Sequence, residues 1–185
     1  MSRSVVIEMS AECRAVLDSS LPRHPNFPVA GVTFVDILPL FTSPSLRKDV
    51  LDSIAAAVRG LPVRIDAVAG FEARGFLLMG VAERLGLPFV CLRKKGKLPG
   101  ARVSIDYALE YGTATLEMSE GAVSAGASVL LVDDVLATGG TARAGAALLT
   151  RVGAHAAALA VVLEVTACSG AAAVDMPHVL TILRV

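Results

Sequence analysis

The sequence predicts an α/β fold, a mostly parallel sheet flanked by helices, on three observations. Short apolar runs rich in β-branched residues recur at 65–69, 87–92, 129–132, 156–163 and 179–183. Segments with helical apolar spacing separate several of them, which calls for right-handed crossovers and helices on both faces of the sheet. Finally, the segments that look able to bind a ligand all follow strands, so they meet at the carboxyl edge of the sheet, where open α/β folds place their ligands.

The bulk composition agrees. A chain of 185 residues, 54% hydrophobic, is long enough to bury a core as one domain and is not disordered. Seventeen Lys and Arg balance seventeen Asp and Glu, a net charge of zero. That argues against general nucleic-acid or membrane-surface binding. Cys13, Cys91 and Cys168 are scattered, form no CxxC, and read as reduced packing thiols. His24, His155 and His178 show no metal-ligand spacing. Glu8 and Glu12 interrupt any signal-peptide-like run, and Arg151 and His155 break the Ala-rich stretch before it could span a membrane. A cytoplasmic enzyme is the expectation.

Along the chain, residues 11–17 suit a short helix, and Pro22, Pro25 and Pro28 then impose an irregular extended segment. Pro44 opens a helix carrying Leu46, Val50, Leu51, Ile54 and Val58, and Gly60-Leu61-Pro62 closes it. The strand at 65–69 runs into Gly70-Phe71-Glu72-Ala73-Arg74-Gly75-Phe76, where a helix with Leu77, Leu78, Val81 and Leu85 begins. An anion fits such a helix start, and Arg74 offers forked donors to it. After the strand at 87–92, Arg93-Lys94-Lys95-Gly96-Lys97 forms a basic run punctuated by Gly and Pro, expected as a mobile loop that extends to Gly112. Residues 113–118 alternate as a strand, and 179–183 reads as an edge strand.

The most informative stretch is Val129-Leu130-Leu131-Val132-Asp133-Asp134-Val135-Leu136-Ala137-Thr138-Gly139-Gly140-Thr141. A buried strand is expected to end at two adjacent carboxylates, followed by a turn of small and hydroxyl residues and a helix running to about Val152. Strand, tight turn and helix start make a phosphate cradle, because successive N–H groups and the helix dipole face one point. Gly139 and Gly140 let the backbone approach an anion, and Thr138 and Thr141 add hydroxyls. No Lys follows the glycines, so this is not a Walker A loop. A pure phosphate site has no use for Asp133 and Asp134, which suit sugar hydroxyls or a hard cation. Together these features indicate a phosphorylated sugar.

This stretch resembles the phosphoribosyl pyrophosphate (PRPP) motif of type I phosphoribosyltransferases: apolar strand, acidic pair, then Ala-Thr-Gly-Gly-Thr. The segment Phe27-Pro28-Val29-Ala30-Gly31-Val32-Thr33-Phe34-Val35-Asp36-Ile37-Leu38-Pro39-Leu40 resembles the N-terminal hood of the adenine phosphoribosyltransferase family. Two residues depart from that pattern, Ala30 for Pro and Val35 for a basic residue. The resemblance implies a type I phosphoribosyltransferase fold with a small hood at about 20–40 and a flexible catalytic loop at about 93–112. It places Thr33, Phe34, Val35 and Val165 at the base, the Phe34 ring packing on it and main-chain groups at 33 and 35 reading its edge. It places Asp133, Asp134, Ala137, Thr138, Gly139, Gly140 and Thr141 on the ribose phosphate. Glu72, Ala73 and Arg74, with Arg93, Lys94 and Lys97, match the family's pyrophosphate-binding positions, with Lys95 beside them. The Leu109-Glu110-Tyr111-Gly112 stretch is similar to the family's lid end, which makes Glu110 the general acid and gives Tyr111 a phosphate contact.

The implied reaction is adenine plus PRPP giving AMP and pyrophosphate, with Mg²⁺ as cofactor and a homodimer as the working form. Arg74, the basic loop and Mg²⁺ would stabilise the departing pyrophosphate. No metal ligand is directly assigned, since Mg²⁺ is expected mainly through PRPP with Asp133 and Asp134 nearby. The alternatives are the same transfer to another base, or a non-catalytic regulator that senses PRPP.

Overall fold

A computed structural model describes residues 4–27, 30–31, 33–109 and 112–185. In chain order the elements are β1 (Ser4–Val6), α1 (Ala11–Ser20), β2 (Arg23–Pro25), β3 (Thr33–Val35), α2 (Leu38–Thr42), α3 (Pro44–Arg59), β4 (Ala67–Phe71), α4 (Met79–Leu85), β5 (Phe89–Lys94), β6 (Arg102–Leu109), β7 (Gly112–Ser119), β8 (Ser128–Leu136), α5 (Gly140–Arg151), β9 (His155–Glu164), α6 (Gly170–Ala173) and β10 (His178–Arg184). The strands form an eight-stranded sheet in the order β1-β10-β9-β8-β4-β5-β7-β6, plus a separate β2–β3 pair. Strands β10, β9, β8, β4 and β5 run parallel, and β7 and β6 join antiparallel.

The central strands alternate between two cores. Val68, Leu130, Val132, Ala160, Val162 and Ile182 pack towards α1, α3 and α4, with Leu17, Val50, Ile54 and Val81. Ala69, Phe71, Leu131, Leu159 and Val161 face the other way, towards Ala142, Ala144, Leu148 and Leu149 of α5. Both faces of these strands are covered, which is why they read as continuous apolar runs rather than alternating ones. The small residues of α5 admit a close approach, and a Cβ on Gly145 would meet the Phe71 ring.

The sheet differs from the sequence-based expectation in three places. Residues 179–183 are an interior strand, not an edge, because β1 pairs with β10 on its far side. Arg14 of α1 secures that border by donating to the carbonyls of Ile182 and Ile7. Three residues of β1 are too few for periodicity to reveal. The expected loop at 93–112 is largely strand. Strand β5 continues through Lys94, and β6 pairs with β7 from Arg102↔Ser119 to Leu109↔Gly112. Val103, Ile105 and Tyr107 seat this hairpin on the α5 side of the core, and Arg151 donates to the Ser104 carbonyl at 2.7 Å. Lastly, the Pro-rich segment contains β2, which pairs antiparallel with β3 through Arg23↔Val35, His24↔Phe34 and Pro25↔Thr33.

The turn after β8 is wedged against the segment after β9. Gly139 adopts φ 79°, open to glycine but strained for other residues, and a Cβ there would press on Val174 and the Gly170 carbonyl. A Cβ on Gly170 would collide with the carbonyl oxygen of Ala137, a backbone atom that cannot swing aside. Gly170→Ala should therefore destabilise the fold by about 1–3 kcal/mol, seen as a fall in Tm of about 3–10 °C. Calorimetric melting measures it, and an unchanged Tm would show that the turn yields.

Candidate active site

The site forms where strands end at different heights. Pairing of β4 with β8 stops at Gly70↔Val132, while pairing of β9 with β8 continues to Leu136↔Glu164. Asp133 and Asp134 therefore lie inside a strand, not at its end as the sequence suggests, with one neighbour still bonded and the other turned away. On the vacated side an open cleft of about 740 Å³ is lined by Glu72, Ala73, Arg74, Lys94, Asp133, Asp134 and Thr141, among others.

The two carboxylates have unequal surroundings. Asp134 is buried, and its Oδ2 lies 3.1 Å from Arg74 Nε yet accepts no well-directed hydrogen bond. Asp133 is half-buried and accepts the backbone N–H of Asp134 at 2.9 Å. Burial raises its pKa well above the usual aspartate value, and the adjacent Asp134 charge raises it further. An acidic pair held this way is short of positive charge and of hydrogen-bond donors. Sugar hydroxyls or a cation carried by a ligand would supply both. Among the described residues no group of three or more His, Cys, Asp or Glu side chains gathers into a metal site. The residues thus fit a metal ion brought in with a substrate and met by Asp133 and Asp134 from one side.

Arg74 joins the acidic pair to the hood. Its guanidinium carbon stands 5.5 Å from the centre of the Phe34 ring, and Phe27 meets that ring edge-on at 5.3 Å. Val35, the next residue, is buried in the core, so only its backbone is available to a ligand. Thr33 is exposed. The segment after β4 is a 3-10 turn at Arg74–Leu78, not the start of an α-helix, so Arg74 and backbone groups rather than a helix dipole face an anion there. The Glu72–Ala73 peptide bond is cis.

Glu72 and Arg74 do not pair with each other. The Glu72 carboxylate accepts Arg93 Nε and the Lys94 backbone N–H, each at 2.9 Å. These two bonds hold its pKa below the usual glutamate value. Arg93 also lies over the Phe76 ring at 5.8 Å, so its charge is already engaged. Lys94, Lys95 and Lys97 are exposed, and the first two line the cleft.

At the far end, Thr138 is exposed and Gly139 caps α5. No side chain caps that helix and no acidic residue stands in its first turn, so its leading N–H groups are left without a side-chain partner. Ala137 and Gly140 are half-buried beside it. Val165 is joined to the end of β8 by donating its N–H to the Leu136 carbonyl at 2.9 Å. Glu110 and Tyr111 lie outside the described residues. The hairpin adds lining that sequence reasoning did not assign to the site: Tyr107, Thr113 and Thr115. Only the pairing of β6 and β7 brings them there, and a loop reading hides it.

A phosphoribosyl transferase domain model matches residues 41–178, which span the cleft, the acidic pair and the cradle. The chain belongs to the phosphoribosyltransferase family. Within it, the proteins this chain is similar to are adenine phosphoribosyltransferases. That of Parafrankia sp. is 50% identical, covering 84% of each chain, and that of Thermobifida fusca is 47% identical over 84% of this chain and 88% of its own. Among solved structures, the adenine phosphoribosyltransferase of Saccharomyces cerevisiae, complexed with an imino-altritol bisphosphate and adenine, superposes with a TM-score of 0.88 at 36% identity, covering 94% of this chain and all of that one.

The acidic pair costs the unliganded protein stability, which gives a prediction. Asp133→Asn removes a desolvated, repelled charge and should raise Tm by about 2–4 °C, on the order of 1 kcal/mol, at neutral pH. A carboxyl with a raised folded-state pKa destabilises wherever the unfolded chain would release its proton more readily than the fold does, from the normal aspartate range upward. The gain should thus vanish below the normal aspartate range, grow as pH rises from there towards the raised value, and level off above it. Melting curves across pH measure this; a loss of stability at neutral pH would mean that the charge is compensated.

Proposed function

We propose that this protein is an adenine phosphoribosyltransferase that joins adenine to PRPP, giving AMP and pyrophosphate in purine salvage. The observation that carries this reading is the convergence on one cleft of an uncapped helix start, an undersupplied acidic pair and a basic turn. The similarity to adenine phosphoribosyltransferases over most of the chain supports the choice of base.

The 5′-phosphate sits on the Ala137–Thr141 cradle, taking the N–H groups at the start of α5 and the hydroxyls of Thr138 and Thr141. Asp133 and Asp134 accept from the ribose hydroxyls. Arg74, Lys94 and Lys97 face the pyrophosphate, with Ala73 giving its backbone, while Glu72 and Arg93 act on it through the turn that they hold. The Phe34 ring packs on the base, backbone groups at 33 and 35 read its edge, and Val165 borders it. Mg²⁺ would be held mainly through PRPP, with Asp133 and Asp134 nearby, and would supply charge that stabilises the leaving pyrophosphate.

As the base nitrogen attacks the anomeric carbon, negative charge develops on pyrophosphate, and cations already aimed there need no reorganisation. Positioning supplies much of the remainder. Glu110 takes the proton from the imidazole nitrogen that does not attack as AMP forms, and acts as the acid that returns it in the reverse direction, while Tyr111 holds the phosphates. Exposed Leu38, Leu77 and Met79, 47%, 40% and 48% accessible, support a homodimer as the working form. Among the described residues no helix is long and apolar enough to cross a membrane, and the free, scattered Cys13, Cys91 and Cys168 support a cytoplasmic location.

Two measurements test the reading. Pyrophosphate release with PRPP, Mg²⁺ and a panel of adenine, hypoxanthine, guanine, xanthine and orotate should occur with adenine alone. Turnover with another base would keep the mechanism and change the specificity, and none with any base would make the protein a PRPP sensor. Glu110→Gln should leave PRPP affinity within about twofold and slow turnover by roughly 10²–10⁴-fold. Undiminished turnover would remove Glu110 from that proton transfer.

A further inference from the structure

Glu117 is a buried carboxylate that the mechanism above does not use. It sits in the middle of β7, between Leu116 and Met118, whose side chains are in the core. Alternation therefore sends Glu117 to the opposite face of the sheet, where a surface residue is expected. Its side chain is only 4% exposed. What covers it is the basic turn that follows β5. Its Oε2 accepts the backbone N–H of Gly96 at 2.9 Å, and its Oε1 lies 3.4 Å from Nε of Arg102, the first residue of β6.

The turn 93–97 thus has a carboxylate at each end. Glu72 binds it at Arg93 and Lys94, and Glu117 binds it at Gly96. Gly96 has φ 75°, so its N–H is turned back from the direction of the strand. Between the two anchors, Lys94 and Lys95 line the cleft. A run of four cations in five residues repels itself and would otherwise splay into solvent. Two buried or half-buried carboxylates oppose that repulsion through backbone N–H groups and paired arginines, leaving the lysine ammonium groups unspent.

We propose that Glu117 is a positioning residue: by holding the Gly96 N–H and Arg102, it aims the Lys94-Lys95-Gly96-Lys97 turn at the pyrophosphate of the substrate. The inference rests on the functional reading only in taking pyrophosphate to be that turn's ligand. Glu117 touches no reacting atom and acts through the turn.

The test compares wild type, Glu117→Ala and Glu117→Gln. Calorimetry with inorganic pyrophosphate and PRPP is combined with steady-state kinetics, and circular dichroism confirms folding. Glu117→Ala should weaken both ligands and raise the KM for PRPP about tenfold, leaving the KM for adenine unchanged. Glu117→Gln keeps an acceptor for the Gly96 N–H and should recover most of that loss, which a packing role alone would not predict for PRPP and not adenine. A folded Glu117→Ala protein with wild-type affinity for pyrophosphate overturns the proposal, as does a Gln variant as weak as Ala. Should the Ala variant not fold, hydrogen exchange of the Gly96 amide in the wild-type protein decides: protection supports the clamp, and exchange at the rate of an open turn refutes it. Wild-type protein that binds pyrophosphate but turns over no base with PRPP would defeat the functional reading and leave the clamp standing.

Discussion

Two adjacent carboxylates stand in a strand that still has a bonded neighbour on one side and none on the other, and most of the site follows from that arrangement. Strand β8 continues for four residues past its last pair with β4, Asp133 to Leu136, and the gap left there is the cleft. Because β9 keeps pace with β8, the backbone under the acidic pair is rigid. The carboxylates therefore cannot relax apart, and their mutual repulsion and partial burial persist in the folded protein. A site whose negative charge is only partly answered by Arg74 is prepared for a ligand that brings positive charge or donors.

The cations are arranged in answer to this pair rather than scattered. Arg74 faces Asp134 and the Phe34 ring at once, so one guanidinium connects the acidic floor to the hood. Arg93 is withdrawn to Glu72, which frees the lysines beyond it. Arg93 makes a directed pair and Arg74 a close ionic one, while the lysines remain solvated point charges on flexible stems, a division that matches the chemistry of the two side chains. The result is a graded field, tightly organised near the sheet and looser towards the mouth of the cleft.

The sequence revealed some parts of this site far better than others, for physical reasons. Residues 129–141 are contiguous and obey local rules, so strand, acidic pair, turn and helix could be read directly. The hood and the Glu72–Arg74 segment were legible by resemblance, since Phe34 and Arg74 meet only in three dimensions. Glu117 was invisible, because a Glu between two apolar strand residues looks like a solvated face, and only the fold shows what lies over it. The hairpin was misread because the glycines and proline of residues 96–100 hide the strand that follows. Strand β1 was too short to leave a pattern, and that error made β10 look like an edge.

The alanines and glycine of α5 look like the least informative residues in the chain, yet they set a length. A helix faced with leucines would ride farther from the sheet, whereas Ala142, Ala144 and Gly145 let α5 settle against Leu131 and the Phe71 ring. The start of α5 is joined to Asp134 by only a short turn, so the depth of the helix fixes the span between phosphate cradle and carboxylates. The packing of a helix face thereby becomes a ruler, and in the function we propose what it spans is one sugar, from its phosphate to its hydroxyls.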